Sequence, residues 1–299
     1  MLAEDVRISS PDKVLFPDDG ITKRDLAAYY AAVADRMVPL IRSRPVMLQR
    51  FPNGIAYHGF MQKDAPSYTP RWVRRVEVPK EGGTLTHILV DDAATLLWIT
   101  NQNCVTPHVW LSRADRIDKP DRLVFDIDPS VDDVGAVQRA AVAVRDLLDE
   151  LGLESCVMST GSRGVHVVVV IDRSETFEEV HGFAHDAAEL LVERHPDLVT
   201  LEFKRATRGK LVYLDILRNR YAQTTVAPYS VRPLRGAPLA MPLRWDDVTG
   251  TRFDPRGHTL RSVLAGGLSG DPWADMPRRG RSLREPRSKL DALRRRRTR

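Results

Sequence analysis

The sequence predicts an α/β fold in which strands and helices are mixed along the chain rather than segregated. Apolar runs of strand length, such as GVHVVVVI at 164–171, are one sign of this class. Between such runs lie amphipathic segments, such as 133–151, in which apolar residues recur at steps of three and four. Because both patterns interleave, we expect helices packed on mixed sheets.

The N-terminal part holds two predicted helices and two predicted strands. Thr22 is a favourable N-cap for a helix near 23–43, and the Arg44-Pro45 step ends that helix. The remaining predictions for this part are a strand over 46–51, a long functional loop over 52–70, a strand over 71–78 and a short helix over 92–102.

Predicted strands and helices alternate most clearly in the centre of the chain. LVFDID at 123–128 is an apolar strand that ends in acids, and the helix after it buries one face and ends at Gly152. The further predictions are strands over 155–160 and 164–171, an amphipathic helix from Phe177 to the His195-Pro196 step, strands over 198–203 and 210–216, a short helix near 258–266 and an irregular basic end.

Composition is that of an ordinary globular protein. The 299 residues are 42% hydrophobic and 28% charged, which suffices for one large or two modest domains. No apolar run is long enough to cross a membrane, and the N-terminus does not read as a signal peptide. Cys104 and Cys156 match no zinc spacing, so we expect buried structural thiols in a reduced cytosolic compartment.

The net charge of +5 conceals a strongly basic end. Residues 278–299 carry ten Arg and one Lys against two acids, or +9, which leaves 5 − 9 = −4 for residues 1–277. The tail is either a disordered solubilising end or an electrostatic tether for phosphates. We therefore expect a single catalytic domain over 1–277 and a basic Arg-rich tail over 278–299.

Three acids on predicted strands form the strongest chemical signal. Asp126 and Asp128 stand two apart on one strand, so both carboxylates project from the same face. Asp215 lies within another apolar strand, where a lone carboxylate is costly to bury unless it is paired or ligated. Carboxylates this close favour hard cations such as Mg²⁺ or Mn²⁺. The pattern predicts a two-metal site for phosphoryl transfer.

The polar turn STGSRGVH at 159–166 joins two predicted strands. Its two glycines permit a tight turn with outward N–H groups, and an arginine side chain can bind two phosphate oxygens. The donors in question are Thr160, Ser162, Arg163, His166 and, further along the chain, Arg232. Taken alone, the turn has an ordinary polar hairpin as its alternative interpretation, and the sequence around Arg232 favours an arginine in a surface loop. Beside the carboxylates they predict a triphosphate-binding site.

These motifs together resemble the polymerase domain of bacterial multifunctional DNA ligase D, in the archaeo-eukaryotic primase superfamily. The matching segments are FDIDP at 125–129, STGSRGVHV at 159–167, YLDILRN at 213–219 and TTVAPYSVR at 224–232, with PDKVLFPDDGITKRDLAAYY at 11–30, LQRFPNGIAYHGFMQK at 48–63 and TPHVWLSR at 106–113. The resemblance implies a primase-polymerase catalytic core with mixed β-sheets flanked by helices. It also implies a DNA-end-binding part over about 1–110 and a catalytic core over about 111–277.

The resemblance implies a role for each matched position. Two divalent cations, Mn²⁺ or Mg²⁺, would be bound by Asp126, Asp128 and Asp215. The incoming nucleotide would be bound by Thr160, Ser162, Arg163, His166 and Arg232, with His108 beside its sugar and phosphates. At the DNA end, Lys13 and Lys23 would bind the 5′-phosphate of the downstream strand, and Phe60 would stack on the template side. Arg208 would lie in a loop that organises the active site.

Two positions depart from the family pattern. Thr160 replaces a serine and retains the hydroxyl, whereas Met61 replaces a second aromatic residue and should weaken stacking at the broken end. No ligase or phosphoesterase segment follows, and the basic tail favours a free-standing relative over an excised domain. The implied partners are gapped or broken DNA with a 5′-phosphorylated downstream strand, nucleoside triphosphates, an end-binding protein and a separate DNA ligase. The implied location is cytoplasmic and nucleoid-associated.

The sequence therefore predicts a template-directed nucleotidyltransferase that fills gaps and extends ends in non-homologous end joining, with a preference for ribonucleotides. The alternatives are a primase that starts chains de novo, a non-catalytic DNA-end-binding factor and a glycosyltransferase that uses its DxD motif. His181 and His185 lie four apart on a helix, but the glutamate of HExxH and a third ligand are missing, so we expect a surface pair rather than a zinc site.

Overall fold

The computed structural model describes residues 5–277 and 279–297. Within those ranges the chain forms sixteen strands and seven helices. The strands are β1 Val14–Phe16, β2 Ile21–Thr22, β3 Pro45–Arg50, β4 Phe60–Gln62, β5 Arg75–Lys80, β6 Gly83–Leu89, β7 Cys104–Trp110, β8 Ser112–Arg113, β9 Arg116–Pro120, β10 Arg122–Pro129, β11 Ser155–Ser159, β12 Val165–Val170, β13 Val199–Thr200, β14 Val212–Asp215, β15 Thr224–Val226 and β16 Pro242–Leu243. The helices are α1 Lys23–Ile41, α2 Ala93–Asn101, α3 Val134–Leu151, α4 Phe177–Arg194, α5 Trp245–Thr249, α6 Leu260–Gly266 and α7 Arg284–Arg297.

The chain forms two compact units, each with one six-stranded sheet. Unit 1 comprises Met1–Ile117, Thr224–Met241 and Arg256–Asp271, and unit 2 comprises Asp118–Gln223, Pro242–Pro255 and Pro272–Arg299. Helices and sheets occur in both units, which confirms the predicted α/β class. The unit 2 sheet is mixed, since β13 pairs parallel with β14, whereas the described strands of the unit 1 sheet all pair antiparallel. The functional boundaries at 110 and 277 remain predictions.

In unit 1 the strand order is β15-β7-β3-β6-β5, with β4 paired to β3. α1 begins at Lys23 because Thr22 caps it: the Thr22 hydroxyl accepts from the Asp25 N–H, and the Asp25 carboxylate accepts from the Thr22 N–H. The Tyr30 hydroxyl donates to the Val105 carbonyl at 2.6 Å, which ties the helix to β7. This contact supports β7, the strand that carries the predicted site residue His108.

In unit 2 the strand order is β13-β14-β10-β12-β11-β16, and α3 and α4 pack on β10. Gly152 ends α3 in the left-handed conformation at φ 81°, as the sequence predicts. Phe125 and Ile127 on β10 are fully buried, whereas Asp126 and Asp128 alternate with them and keep some exposure. The helices therefore cover the apolar face of β10, and the acids lie on the other face.

Several predicted strands have different bounds in the structure. The two predicted over 198–203 and 210–216 shorten to β13 and β14, because the intervening charged segment leaves the sheet as a loop. The patterns missed β6 and β7, and the predicted loop at 52–70 contains β4. β7 carries Thr106, Pro107 and His108 within an almost wholly buried strand, so it shows no alternation of polar and apolar residues that would reveal it.

The prediction of an irregular basic end was wrong for residues 284–297, which form α7. Leu283 and Leu290, seven residues apart, are buried, and α7 contacts both α3 and α4. Arg287 and Arg294 form ion pairs with Asp186 on α4, and Arg294 also pairs with Glu189 at 2.7 Å. The disordered-end alternative therefore fails for this segment, because α7 is anchored by apolar and ionic contacts. Residues 278, 298 and 299 of the predicted tail lie outside the described residues.

Candidate active site

The three acids occupy neighbouring positions on two paired strands of unit 2. Asp126 on β10 lies directly opposite Asp215 on β14 in antiparallel register, and Asp128 is two residues along β10. Directly opposite residues have Cβ atoms about 5 Å apart. The side chains of Asp126 and Asp215 are 15% and 12% exposed, against 44% for Asp128. The structure thus brings Asp215 next to the pair Asp126 and Asp128, whereas the sequence could only assign Asp215 to another strand.

A row of polar side chains crosses the sheet at this level. On the other side of β10, His166 on β12 lies directly opposite Asp126, and its Nε2 is 3.5 Å from Asp126 Oδ1. Asp126 therefore sits between an acid and a histidine. Among these residues His166, at 5% side-chain exposure, is the most enclosed, so its ring is held rigidly beside the carboxylate.

Three arginines balance the charge of the three acids. Arg163 Nη2 lies 3.4 Å from Asp128 Oδ1, and Arg208 Nη1 lies 3.8 Å from Asp128 Oδ2. Arg218 contacts both other acids: its Nε is 3.3 Å from Asp126 Oδ2 and its Nη2 is 3.1 Å from Asp215 Oδ2. Arg218 was not among the residues predicted from the sequence. Its position three residues after Asp215 could have indicated an ion pair with that acid.

The acids differ in their proton affinities. Burial acts to raise the pKa of Asp126, but the charges and hydrogen bonds of His166 and Arg218 outweigh it and leave the pKa below its usual value. Burial, followed by the negative charge of Asp126, raises the pKa of Asp128. Burial also raises the pKa of Asp215, against the opposing charge of Arg218. Neighbouring carboxylates whose pKa values are shifted in opposite directions are typical of functional sites.

The turn between β11 and β12 is shaped by its glycines. The backbone N–H and the hydroxyl of Thr160 both donate to the Gly164 carbonyl, at 3.0 and 3.1 Å, which closes the turn. Gly161 has φ 64°, and a Cβ on Gly164 would lie 1.9 Å from the Ile127 carbonyl oxygen. Only glycine permits this approach to β10, and Arg163 of the same turn lies beside Asp128.

Arg208 is fixed in the loop before β14. Its Nε donates to the Glu202 carbonyl at 2.7 Å, and its guanidinium carbon lies 3.8 Å from the centroid of the Tyr213 ring. Tyr213 is the register partner of Asp128. The side chain of Arg208 is 7% exposed. The structure therefore places this predicted residue at the edge of the acid cluster, where it supports Asp128.

Lys13 and Lys23 lie side by side in unit 1, although ten residues separate them. β1 and β2 pair antiparallel, and the Lys23 N–H donates to the Lys13 carbonyl at 2.8 Å. The Lys23 residue is only 3% exposed, and its Nζ donates to Ser9 Oγ at 3.2 Å. Burial, then the charges of Lys13 and Arg50, lower the pKa of Lys23. A buried lysine beside two other cations is an arrangement that a bound anion would stabilise.

Phe60 lies on β4 in unit 1 with 47% of its surface exposed, and Met61 beside it is 43% exposed. The guanidinium carbon of Arg50 lies 5.4 Å from the centroid of the Phe60 ring. The same arginine donates to Gln62 Oε1 at 2.6 Å. Phe60 therefore presents a ring to solvent from a strand rather than from an irregular loop. Its role in stacking stays a prediction.

His108 and Arg232 belong to unit 1, whereas the three acids belong to unit 2. His108 lies in β7, opposite Met47 on β3 and Val226 on β15. The Arg232 N–H donates to the Pro238 carbonyl at 2.8 Å. Both residues are half-buried. Their contacts with a triphosphate stay predictions.

The histidine pair on α4 lies beside acids of the same helix. His185, Asp186 and Glu189 lie close enough to share an ion, and arginines of α7 pair with both acids. His181 Nε2 accepts from Arg220 Nε at 3.2 Å. The expectation of a surface pair rather than a zinc site stays a prediction.

Both cysteines are free thiols, and Cys104 is fully buried while Cys156 is half-buried. None of the described helices has the length and apolar composition that a bilayer crossing demands.

Comparison with known proteins agrees with these features. A family model described as the primase-polymerase domain of LigD matches residues 22–273. The multifunctional non-homologous end joining protein LigD of Mycolicibacterium smegmatis is 35% identical over 262 residues, covering 86% of this chain and 34% of that protein. The bifunctional protein LigD of Bacillus subtilis is 31% identical over 261 residues, covering 87% of this chain and 42% of that protein. The chain thus spans between a third and a half of the length of these relatives.

A solved structure is similar over nearly its whole length. The polymerase domain of Mycobacterium tuberculosis ligase D, in complex with DNA, superimposes with a TM-score of 0.83 at 31% identity, covering 91% of this chain and 97% of that one. The predicted resemblance is therefore confirmed. By its fold and these matches, the chain belongs to the LigD primase-polymerase domain family of nucleotidyltransferases.

Proposed function

We propose that this chain is a template-directed polymerase that adds nucleotides to the 3′ ends of DNA at gaps and double-strand breaks. The observation that carries the proposal is the cross-strand row of Asp215, Asp126 and His166, with Asp128 two residues along β10. The glycine-shaped turn that holds Arg163 lies against the same strand. DNA as substrate follows from the similarity to a polymerase domain that was solved with DNA.

A polymerase domain of this kind uses divalent metal, and the acids fit that use. Asp126, Asp128 and Asp215 offer only carboxylate oxygens, the donors that Mg²⁺ and Mn²⁺ prefer. We propose that these residues hold two ions, with Mn²⁺ preferred. When bound, such ions supply the positive charge that activates the attacking hydroxyl and stabilises the leaving group.

The residues around the acids suit nucleotide transfer. In the reaction the primer 3′-oxygen bonds to the α-phosphorus of the incoming nucleotide, the bond to the β-phosphate oxygen breaks, and pyrophosphate leaves. Arg163 would bind the triphosphate, since it already lies beside Asp128. Ser162 and the N–H groups of the same turn would add further donors. His166, held rigidly at Asp126, would donate to the same group. Thr160 completes the proposed contacts within unit 2. The proposed roles of His108 and Arg232 in nucleotide binding rest on the family resemblance alone.

Unit 1 supplies a separate site that fits a DNA end. Lys13 and Lys23 would bind the 5′-phosphate of the downstream strand, because they and Arg50 form a cation cluster around a buried ammonium. Phe60, supported by Arg50, would stack on a template base. A polymerase that holds both sides of a gap recognises breaks rather than intact duplex.

The relatives named for non-homologous end joining give this activity a context. We propose that the chain extends ends in that pathway, preferring ribonucleotides, and that a DNA ligase and an end-binding protein act with it. The cell compartment would then be the cytoplasm, at the nucleoid.

Extension of a gapped duplex tests the proposal. We expect one-nucleotide addition that follows the template base, that is faster on a 5′-phosphorylated gap, and that is greater with ribonucleotides and Mn²⁺. Asp128→Asn should reduce the rate by about 10³-fold or more, since several kcal/mol of transition-state stabilisation is lost. Persistence of activity in this variant would remove Asp128 from the metal site.

Two further measurements separate the alternatives. A primer-free reaction with labelled triphosphates should give no product, because chain initiation is not part of the proposal. Asp128→Asn should still bind DNA ends. If the chain were only an end-binding factor, the unmodified chain would bind DNA ends without adding nucleotides. Synthesis without a primer, or end binding without addition, would contradict the proposal.

A further inference from the structure

Arg218 occupies the position between two of the three acids. It lies on a short 3₁₀ turn, Leu217–Asn219, that follows β14 directly. Its guanidinium bridges Asp126 Oδ2 at 3.3 Å and Asp215 Oδ2 at 3.1 Å. One cation of the protein therefore holds an oxygen from each of two neighbouring strands.

The bridge relieves a strong local repulsion. Asp126 and Asp215 are directly opposite in antiparallel register, and like charges in that relation destabilise a sheet. Both carboxylates are largely buried, so solvent screens them little. With Arg163 and Arg208 at Asp128, the three acids already face three guanidinium groups. A cation that binds Asp126 Oδ2 or Asp215 Oδ2 must therefore displace Arg218 from that oxygen.

The backbone that carries Arg218 is anchored while its side chain is accessible. Asn219 is fully buried; its Nδ2 donates to the Val124 carbonyl at 2.7 Å, and its Oδ1 accepts from the Val124 N–H at 2.9 Å. The Arg218 side chain is 38% exposed. Its guanidinium can therefore leave the carboxylates by side-chain rotation alone, without a change in the strands.

We propose that Arg218 is a positioning residue that competes with divalent cations for the Asp126 and Asp215 oxygens and so sets the metal affinity of the site. It keeps the two acids in place before metal arrives and releases them when metal binds. The released guanidinium stays beside the site, where it can bind a phosphate oxygen of the incoming nucleotide. Metal and nucleotide binding are then coupled through one side chain. This inference rests on the proposed metal site.

Titration of the full chain with Mn²⁺, followed by the electron paramagnetic resonance signal of the free ion, tests the inference without nucleotide or DNA. Removal of the competing cation in Arg218→Gln should tighten Mn²⁺ binding by about tenfold, or about 1.4 kcal/mol. Arg218→Lys keeps the charge but loses the two-oxygen contact, so we expect an intermediate gain of about threefold. Arg220→Gln is the matched control, because Arg220 contacts His181 rather than the acids, and should bind Mn²⁺ like the unmodified chain.

A second readout is the rise in melting temperature on adding Mn²⁺. The rise should be larger in Arg218→Gln than in the unmodified chain, because metal there also relieves the repulsion between Asp126 and Asp215. Unchanged or weaker Mn²⁺ binding by a folded Arg218→Gln would overturn the inference. If that variant does not fold, the same result for Arg218→Lys would overturn it.

The same titration separates this inference from the proposed function. Asp128→Asn should lose Mn²⁺ binding, and equal binding by that variant and the unmodified chain would refute the proposed metal site. Loss in Asp128→Asn without a gain in Arg218→Gln would refute only the role of Arg218.

Discussion

At the scale of single residues, neighbouring carboxylates on one strand have opposite effects on stability. Asp126 has a lowered pKa, so it stabilises the fold above its unfolded pKa, and this contribution is lost as pH falls through the folded value. Asp128 has a raised pKa, so its charge destabilises the fold near neutral pH, and the effect is relieved as pH falls through the folded value. The difference arises because burial, followed by the repulsion of Asp126, raises the pKa of Asp128, whereas His166 and Arg218 outweigh the effect of burial on the pKa of Asp126.

Isosteric amides should reveal this difference. In metal-free buffer near neutral pH, we expect Asp126→Asn to lower the melting temperature and Asp128→Asn to raise it, by a few degrees each. Both variants should lose nucleotide addition. Thermal unfolding followed by circular dichroism measures the two shifts, and shifts of the same sign would contradict the electrostatic assignment.

At Lys23, as at Asp128, the charge that the proposed function uses destabilises the fold. Its ammonium is buried near Lys13 and Arg50, and its pKa is lowered, so its charge costs stability below the folded pKa and the cost is relieved as pH rises. We expect Lys23→Met, which keeps the length of the side chain, to hold or raise the melting temperature and to abolish the preference for a 5′-phosphorylated gap. Arg24→Met is the adjacent control, because Arg24 is exposed and pairs with Asp12.

An equal loss of extension on phosphorylated and unphosphorylated gaps in Lys23→Met would contradict the 5′-phosphate site. So would an unchanged preference.

At the scale of elements, α7 combines a buried edge with a basic exposed edge. Leu290 is buried, and Arg287 and Arg294 are held by acids of α4. Arg284 is exposed at the start of the helix, and Arg281 is exposed three residues before it. The helix therefore has a structural part and a charged part that can be tested separately. Deleting residues 278–299 as a whole would confuse the two.

We expect Leu290→Ala to destabilise the protein by about 2–4 kcal/mol, since a buried leucine leaves a cavity. Arg281→Ala with Arg284→Ala should leave stability unchanged within about 0.5 kcal/mol. If α7 contacts DNA phosphates, this double variant should reduce the salt dependence of DNA binding by up to about two charges. An unchanged salt slope would leave α7 with a purely structural role.

At the scale of the whole molecule, each compact unit contains one thiol. Burial raises the pKa of Cys104 in unit 1 to about 12, and burial raises that of Cys156 in unit 2 to about 11. Thiolate is the reactive form, so neither cysteine should react in the folded protein. The two thiols therefore report on the opening of each unit.

We expect no modification by a thiol reagent at mildly alkaline pH in the folded protein and two modified cysteines after denaturation. Peptide mass spectrometry during a denaturant titration measures each thiol separately. Rapid modification of Cys104 in the folded state would contradict the burial of β7. Cys156 is half-buried, so it should be the first of the two thiols to react as denaturant is added.

Local patterns in the sequence predicted those elements whose signals are local. Thr22 predicted the start of α1 and Gly152 the end of α3, because capping involves only residues within one turn. The pair Asp126 and Asp128 was assigned to one strand face, because alternation is a property of a single strand. β6, β7 and α7 were missed, since their burial depends on residues far along the chain.

The sequence by itself determined the fold class, the family and the identity of the three acids, because residue types, spacing and period are all written along one chain. Only the tertiary structure decided that Asp215 lies opposite Asp126, that Arg218 bridges them and that Lys13 meets Lys23. The physical reason is register: which residues of two strands oppose each other is set by pairing and burial across long separations. Charges meet, and shift one another's pKa, only once that register is fixed.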